Sequence, residues 1–325
     1  MLRRSFLARL AAGAAWVGLG CSESSIAHVP QTGAATRAHT AHAHGTDSAS
    51  AKMERVSIST WSLHNYFRGT RDSDFNLPGP MLALLDFPEL IVDKYKVRHL
   101  EFCSTHFAST ESAYLQEIKY ALVRTRSTIV NMPVDIEECG SEGTFSDADR
   151  TKRLAAVDAT KRWVDIAHAL GARSVRVGPG KVDPEHLSRT AESYEALALY
   201  AQAKGVRVIV ENHAGFGNEH PEELVKLFRL TEPGRIGALP DFGNFPDETT
   251  REKGLKMLFP YAQTVCHAKG LEFDANGAET AYDFPQAMEI ARKSGFRGVY
   301  SIEFEGPGDP YAGIQKTLEE LLKYV

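Results

Sequence analysis

Glu211, Asp241, His267 and Glu303 share one local pattern. Each closes a short apolar, β-branched run and is followed within a few residues by glycine or another turn former. The runs are Val206 to Glu211, Ile236 to Asp241, Thr264 to His267 and Gly298 to Glu303. Their ends stand 30, 26 and 36 residues apart, and each interval has room for a loop, a helix and a returning strand. That is the rhythm of parallel βα units, whose crossovers put every strand C-terminus on one side of the sheet. One glutamate at a strand end is ordinarily a loop-facing or capping residue; four metal-competent side chains at this period point to one shared site. Three carboxylates and an imidazole form a hard, mostly oxygen donor set. It suits Mn(II) best, with Mg(II), Co(II) or Zn(II) as alternatives, and leaves positions open for substrate oxygens. A hydroxy-carbonyl compound held there would have its carbonyl polarised and its α C–H acidified, since the cation stabilises the developing enediolate.

The elements that must position these residues are legible upstream. Strand-like runs occur at Val56 to Trp61, Arg98 to Cys103, Ser127 to Pro133 and Ser174 to Val177, ahead of the four already named. Helical periods fill the intervals: Pro80 to Val92, interrupted by Pro88; Glu111 to Arg126; Asp147 to Leu170, closed by Gly171; and Pro184 to Lys204, closed by Gly205. Further helices open at His220 and Pro221, run from about Thr249 to Leu258, cover Asp283 to Ser294, and finish the chain from Pro310 to Tyr324. Eight strands alternating with eight helices over the 273 residues from Met53 to Val325 predict a single-domain α/β (β/α)8 TIM barrel. An open doubly wound sheet is the alternative, but no GxGxxG follows the first strand, and Gly178-Pro-Gly180 is only a short turn. The acidic, glycine-bearing loop from Asp135 to Phe145 is expected to fold over the barrel mouth.

Composition bounds the partners. The chain has 325 residues, 43% of them hydrophobic, and a formal charge of −5. The first twenty residues hold three arginines and no acids, so the remainder carries −8, which argues against a nucleic-acid partner. Four cysteines form no CxxC pair; Cys103 and Cys266 fall in strand-like runs and read as buried thiols. Met1 to Leu7, with Arg3, Arg4, Phe6 and Leu7, resembles a twin-arginine export signal, and Leu10 to Gly20 supplies a short apolar segment behind it. Leu19-Gly20-Cys21 resembles a bacterial lipobox, with Gly18 where that pattern prefers leucine. Lipidation of Cys21, anchoring the chain to a membrane, is the expectation, with plain cleavage near the same point as the rival. Either outcome places the mature domain outside the cytoplasm, in the periplasm or on a membrane. Residues 22–52, rich in Ser, Ala, Thr, Gly and His with no apolar period, read as a disordered linker.

With the motifs Val-Glu211-Asn-His213, Pro-Asp241-Phe-Gly-Asn244, His267-Ala-Lys269 and Ile-Glu303-Phe-Glu305-Gly on the page, the chain resembles the xylose isomerase-like barrel superfamily, in its sugar isomerase and epimerase branch. The resemblance implies that Glu211, Asp241, His267 and Glu303 ligate a divalent metal. It also implies that Glu211 and Glu303 act as an acid/base pair on opposite faces of a small carbohydrate. Return of the proton to the same carbon gives epimerisation, and return to its neighbour gives aldose-ketose isomerisation. A homodimer is a further family-level expectation.

Around this centre, Lys269 is expected to stabilise the enediolate oxygen and His213 to bind a substrate hydroxyl, with a solvated lysine and a loop histidine as the plainer readings. Asn244, Glu101, Arg176 and Glu305 are candidate substrate contacts. Trp61 could stack on a sugar face, while Phe67 reads as core. The pattern departs from ketose 3-epimerases at Asn244, where they carry histidine, and at Gly217, where they carry glutamate. Metal-dependent lyases or dehydratases acting on keto sugars or 3-keto-glycosides are therefore a standing alternative, and a non-catalytic exported sugar-binding protein is another. The three-zinc endonuclease branch needs more histidines than His213, His220 and His267, the ones available from the fifth strand onward.

Overall fold

The computed structural model describes residues 50–72, 79–135, 145–213 and 215–325. Eight strands run parallel: β1 (Val56–Ser59), β2 (His99–Glu101), β3 (Thr128–Val134), β4 (Ser174–Val177), β5 (Arg207–Glu211), β6 (Ile236–Leu239), β7 (Val265–Gly270) and β8 (Val299–Phe304). Helices follow them in turn: α1 (Phe87–Tyr95), α2 (Ser112–Thr125), α3 (Arg150–Leu170), α4 (Leu187–Gln202), α5 (Pro221–Leu230), α6 (Glu248–Leu258), α7 (Phe284–Lys293) and α8 (Pro310–Leu321). The chain order is that of the predicted (β/α)8 barrel.

The strands form one curled sheet in the order β6-β5-β4-β3-β2-β1-β8-β7. Its two ends meet through isolated bridges, Ala238 to Ala262 and Asp241 to His267, and not through a continuous ladder. At the second bridge the Phe242 N–H donates to the His267 carbonyl (3.2 Å) and the His267 N–H donates to the Pro240 carbonyl (2.9 Å). The seam of the barrel therefore runs through two of the predicted ligands.

Alternation along the strands separates two cores. Val56 and Ile58 of β1, Leu100 of β2 and Val208 and Val210 of β5 pack outward with the helices in the main hydrophobic cluster. Val130, Ile209, Leu239, Val265 and Val299 form a separate cluster of one residue from each of five strands, an apolar floor inside the barrel. Above that floor the inward positions turn polar, and the site begins.

Several boundaries differ from the sequence expectation for local reasons. Pro88 opens α1 and does not interrupt it: its missing N–H falls where a first helical turn has no partner to offer. The segment expected as a helix from Pro184 starts with a 3-10 turn, Pro184–His186, capped by Asp183, before α4 begins. Asp241 lies just past the end of β6, whereas His267 sits inside β7, which continues to Gly270. Cys103 and Cys266 are buried free thiols, as read. Most of the expected lid, residues 136–144, and both the leader and most of the linker lie outside the described residues. Residues 50–53 are helical, and Lys52 Nζ donates to the Leu322 carbonyl at 2.7 Å.

Candidate metal centre

The C-terminal parts of four strands and the turn after β6 deliver four candidate ligand atoms. One oxygen each from Glu211, Asp241 and Glu303 and one nitrogen of His267 all lie within 4.8 Å of one another, and all four residues are buried. His267 Nδ1 is the hub, 3.2 Å from Glu211 Oε1, 3.2 Å from Asp241 Oδ2 and 3.4 Å from Glu303 Oε2. The turn after β6 shapes the Asp241 carboxylate: its Oδ1 accepts the Gly243 N–H (2.7 Å) and the Asn244 N–H (3.1 Å), leaving Oδ2 for the centre. Gly243 is dictated by its neighbour, because a Cβ there would stand 2.7 Å from Lys269 Cδ.

The donor set fits a divalent cation on charge as well as geometry. Four buried carboxylates, Glu101, Glu211, Asp241 and Glu303, face two permanent cations, Lys269 and Arg176, so two negative charges remain uncompensated. Glu211 Oε2 is also buried without a hydrogen bond; Arg176 Nε lies 3.0 Å away but is not aligned to donate. Such an excess in a low-dielectric interior calls for a cation or a proton. Without a metal, the protons redistribute accordingly. Burial alone would lower His267, yet Glu303, Glu101 and Glu211 outweigh it and hold the imidazole well above its ordinary value. Burial pushes the Asp241 carboxyl up. Glu211 feels the same desolvation, but Arg176 and His267 take its carboxyl well below the usual range. Burial is likewise overcome at Glu303, where His267 and Lys269 bring it down to about 2.

Lys269, two residues after His267 and so on the same face of β7, reaches into the cluster. Its Nζ lies 3.2 Å from Asp241 Oδ2 and 3.0 Å from Glu303 Oε2, and donates to Asn244 Oδ1 (3.0 Å) and Glu305 Oε2 (2.9 Å). Asn244 in turn donates to Glu211 Oε1 at 3.1 Å. Trp61 Nε1 donates to Glu305 Oε1 at 2.5 Å, linking the 3-10 turn after β1 to the same network. Arg176 is clamped between Asp135 and Glu211. The structure therefore joins Lys269, Asn244, Glu305, Trp61 and Arg176 to the four ligands. His213 stands exposed at the rim, near enough to act electrostatically on Glu211. Phe67 is buried against Phe87 and His106, as core.

Glu101, expected as a substrate contact, is 0% exposed, and its Oε1 lies 3.0 Å from His267 Nε2. Two contributors carried no distinguishing signal in the sequence. Asn131 donates to Glu101 Oε1 (3.0 Å), and Asn212 pins the backbone of Asp241 from both sides, its Oδ1 accepting the Asp241 N–H (2.8 Å) and its Nδ2 donating to the Asp241 carbonyl (3.0 Å). Only the adjacency of Asn212 to Glu211 could have flagged it.

Residues 89–324 match the family model described as xylose isomerase-like TIM barrel. The chain belongs to this family. Among solved structures, a D-tagatose 3-epimerase-like protein is similar at 15% identity and TM-score 0.60, covering 83% of this chain and 97% of that one. A xylose isomerase-like TIM barrel protein from Mycobacterium smegmatis, in complex with magnesium, has the same identity, TM-score and coverages. The IolI protein, with a bound zinc atom, is 14% identical with TM-score 0.62, covering 83% of this chain and 99% of that one. At these identities the likeness is one of fold. No curated protein matches the chain.

Proposed function

We propose that this chain is a divalent-metal-dependent sugar isomerase or epimerase, with Glu211, Asp241, His267 and Glu303 as ligands and Mn(II) as the best-matched ion. The observation that carries the reading is the buried convergence of three carboxylates and one imidazole, with an uncompensated charge of two, at the C-terminal mouth of the barrel. Family membership and the metals held by the magnesium- and zinc-bound relatives support it. When bound, the cation would polarise the carbonyl of a hydroxy-carbonyl sugar and stabilise negative charge on its oxygen. The chain's own residues then do the rest. Glu211, kept ionised by Arg176, takes the α proton from one face of the substrate. Glu303 delivers a proton to the other face, so it enters the cycle carrying one taken from solvent, and Glu211 returns the abstracted proton to solvent afterwards; Lys269 Nζ, 3.0 Å from Glu303, balances the carboxylate left behind. Trp61, Glu305, His213 and Asn244 line the approach to the sugar.

A second reading, a lyase acting on keto sugars or 3-keto-glycosides, draws on one specific position. Gly217, where 3-epimerases carry glutamate, has φ +80°, and a Cβ there would meet Leu224 Cδ1 at 2.3 Å. That glutamate therefore has no place in this loop. The same enolisation would serve either reaction, and only the lyase follows it with loss of a β substituent.

The deciding experiment strips the protein with EDTA, reloads it with Mn(II), and incubates it in D2O with ketoses, aldoses and 3-keto-glycosides while proton NMR follows C–H loss. Metal-dependent exchange that falls by about 10²–10⁴ in Glu303→Gln supports the proposal, and the product separates isomerase from lyase. Metal binding with no exchange in any compound would point to a binding protein instead.

We further propose export through the twin-arginine segment and a lipid anchor at Cys21, on the leader sequence alone. In a bacterial host with a twin-arginine system, the chain should fractionate with membranes and Cys21→Ser should appear in the soluble periplasmic fraction. Cytoplasmic retention of both would remove the proposal.

A further inference from the structure

Glu101 and His267 sit on strands that are not neighbours. The sheet order places β1 and β8 between β2 and β7, so the contact between them crosses the barrel interior. The intervening strands make room. Ser57 and Ser59 of β1 alternate with the outward Val56 and Ile58, and Ser301 of β8 is in register with both Ser57 and His267. All three serines are buried, and a larger residue at these inward positions would occupy the path of the Glu101 side chain.

The contact has a defined polarity. His267 Nδ1 faces Glu211, Asp241 and Glu303, while Nε2 lies 3.0 Å from Glu101 Oε1. A carboxylate can only accept, so with Nδ1 committed to a cation the proton resides on Nε2 and is donated to Glu101. Glu101 is held in turn: its Oε1 also accepts from Asn131 Nδ2 (3.0 Å), and Asn131 Oδ1 accepts from Ser174 Oγ (2.8 Å). The same Ser174 hydroxyl proton is shared with the Val130 carbonyl at 3.2 Å, beside the apolar floor. A chain of hydrogen bonds therefore links Ser174, Asn131, Glu101 and His267, and it ends at Nε2, the ring nitrogen opposite the candidate ligand atom Nδ1. Glu101 is wholly buried, and the groups its Oε1 meets are His267 and Asn131.

We propose that Glu101 is a positioning residue for the metal, setting the tautomer, the ring orientation and the donor strength of His267 across the barrel. This rests on the metal-centre reading above. A carboxylate behind a ligating imidazole raises its basicity and fixes its aim, and loss of such a partner typically weakens metal binding by about 10–100-fold.

The test measures Mn(II) affinity of the full chain by calorimetry, with thermal melts of the metal-free proteins confirming that each variant is folded. Glu101→Ala should bind Mn(II) about 10–100-fold more weakly than wild type, and Glu101→Gln less severely, because its amide oxygen still accepts from Nε2. Should Glu101→Ala not fold, Glu101→Gln carries the test alone. In a His267→Ala background the Glu101 substitutions should change affinity little, because the effect is transmitted through the ring. A spectroscopic readout separates positioning from general stability: in Mn(II)-loaded protein, the imidazole ¹⁴N coupling seen by electron spin echo should shift in Glu101→Gln. Wild-type affinity and unshifted coupling in folded Glu101 variants, or an equal loss with and without His267, would overturn the positioning role while leaving the metal centre standing. Absence of any Mn(II) binding by wild-type protein would remove both.

Discussion

At the residue scale, the site shows how far burial and charge together can move a side chain from its ordinary behaviour. His106 offers the clearest case away from the ligands. Thr70 Oγ1 donates its one proton to the His64 carbonyl (2.7 Å), so the contact of 2.8 Å to His106 Nε2 must be donated by the ring. Nδ1 is then a bare acceptor, buried and without a hydrogen-bonding partner, in a ring stacked on Phe67 at 4.1 Å. Burial, with a smaller contribution from His64, lowers its pKa to about 3. A histidine depressed in the folded state contributes stability that is complete above its unfolded pKa and is lost as pH falls toward the folded one. Between about pH 6.5 and about pH 3, this single group should steepen acid destabilisation by about 1.4 kcal/mol per pH unit. His106→Phe keeps a ring on Phe67 and removes the proton site. Melting temperatures taken from about pH 7 to about pH 4 should fall less in the variant than in wild type, and parallel curves would show that His106 titrates normally.

At the element scale, the ligands are aimed by what happens just past the strands. Asp241 lies beyond β6, in a turn whose backbone N–H groups take one of its oxygens, and Asn212 from the end of β5 holds the same peptide at both its N–H and its carbonyl. This side chain carries the β5–β6 pairing past its last ladder residues, Glu211 and Leu239. Asn212→Ala leaves two buried backbone groups without partners, at a cost of about 1–3 kcal/mol each, and frees Asp241 to move. Chemical denaturation should show the stability loss, and calorimetry with Mn(II) a weaker affinity. An unchanged affinity at reduced stability would mean that Asp241 is aimed by Gly243 and Asn244 alone. The same logic explains why strand-end residues were readable while their supports were not. Period and termination advertise Glu211 and Glu303, whereas an asparagine beside them reads as ordinary turn chemistry.

For the whole molecule, the polar mouth sits above an apolar floor, and the charge imbalance at the mouth couples metal to stability. All described residues fall in one compact unit, residues 43–325. Four buried carboxylates against Lys269 and Arg176 repel one another in the metal-free chain, relieved by the protonation of His267 and the raised carboxyl of Asp241. A divalent ion that binds only the folded protein stabilises it by mass action, about 2.7 kcal/mol at a hundredfold excess over Kd. Melting should therefore shift upward on adding Mn(II) and return with EDTA. Coincident melts in the two conditions would argue that Lys269 and a protonated His267 complete the site without a metal.

The sequence by itself determined the architecture and the candidate ligand quartet. Alternating strand and helix periods over 273 residues admit few topologies, and a strand that ends on a carboxylate or imidazole carries that group to the barrel mouth whatever the details of packing. Tertiary structure alone decided which groups stand behind those ligands. Glu101, Asn131 and Ser174 come from β2, β3 and β4 to a histidine on β7, and nothing in the spacing of these residues along the chain encodes a contact across the barrel. Strand phase told that Glu101 points inward, but only closure of the barrel brought it against His267, since register between distant strands is a property of the closed sheet.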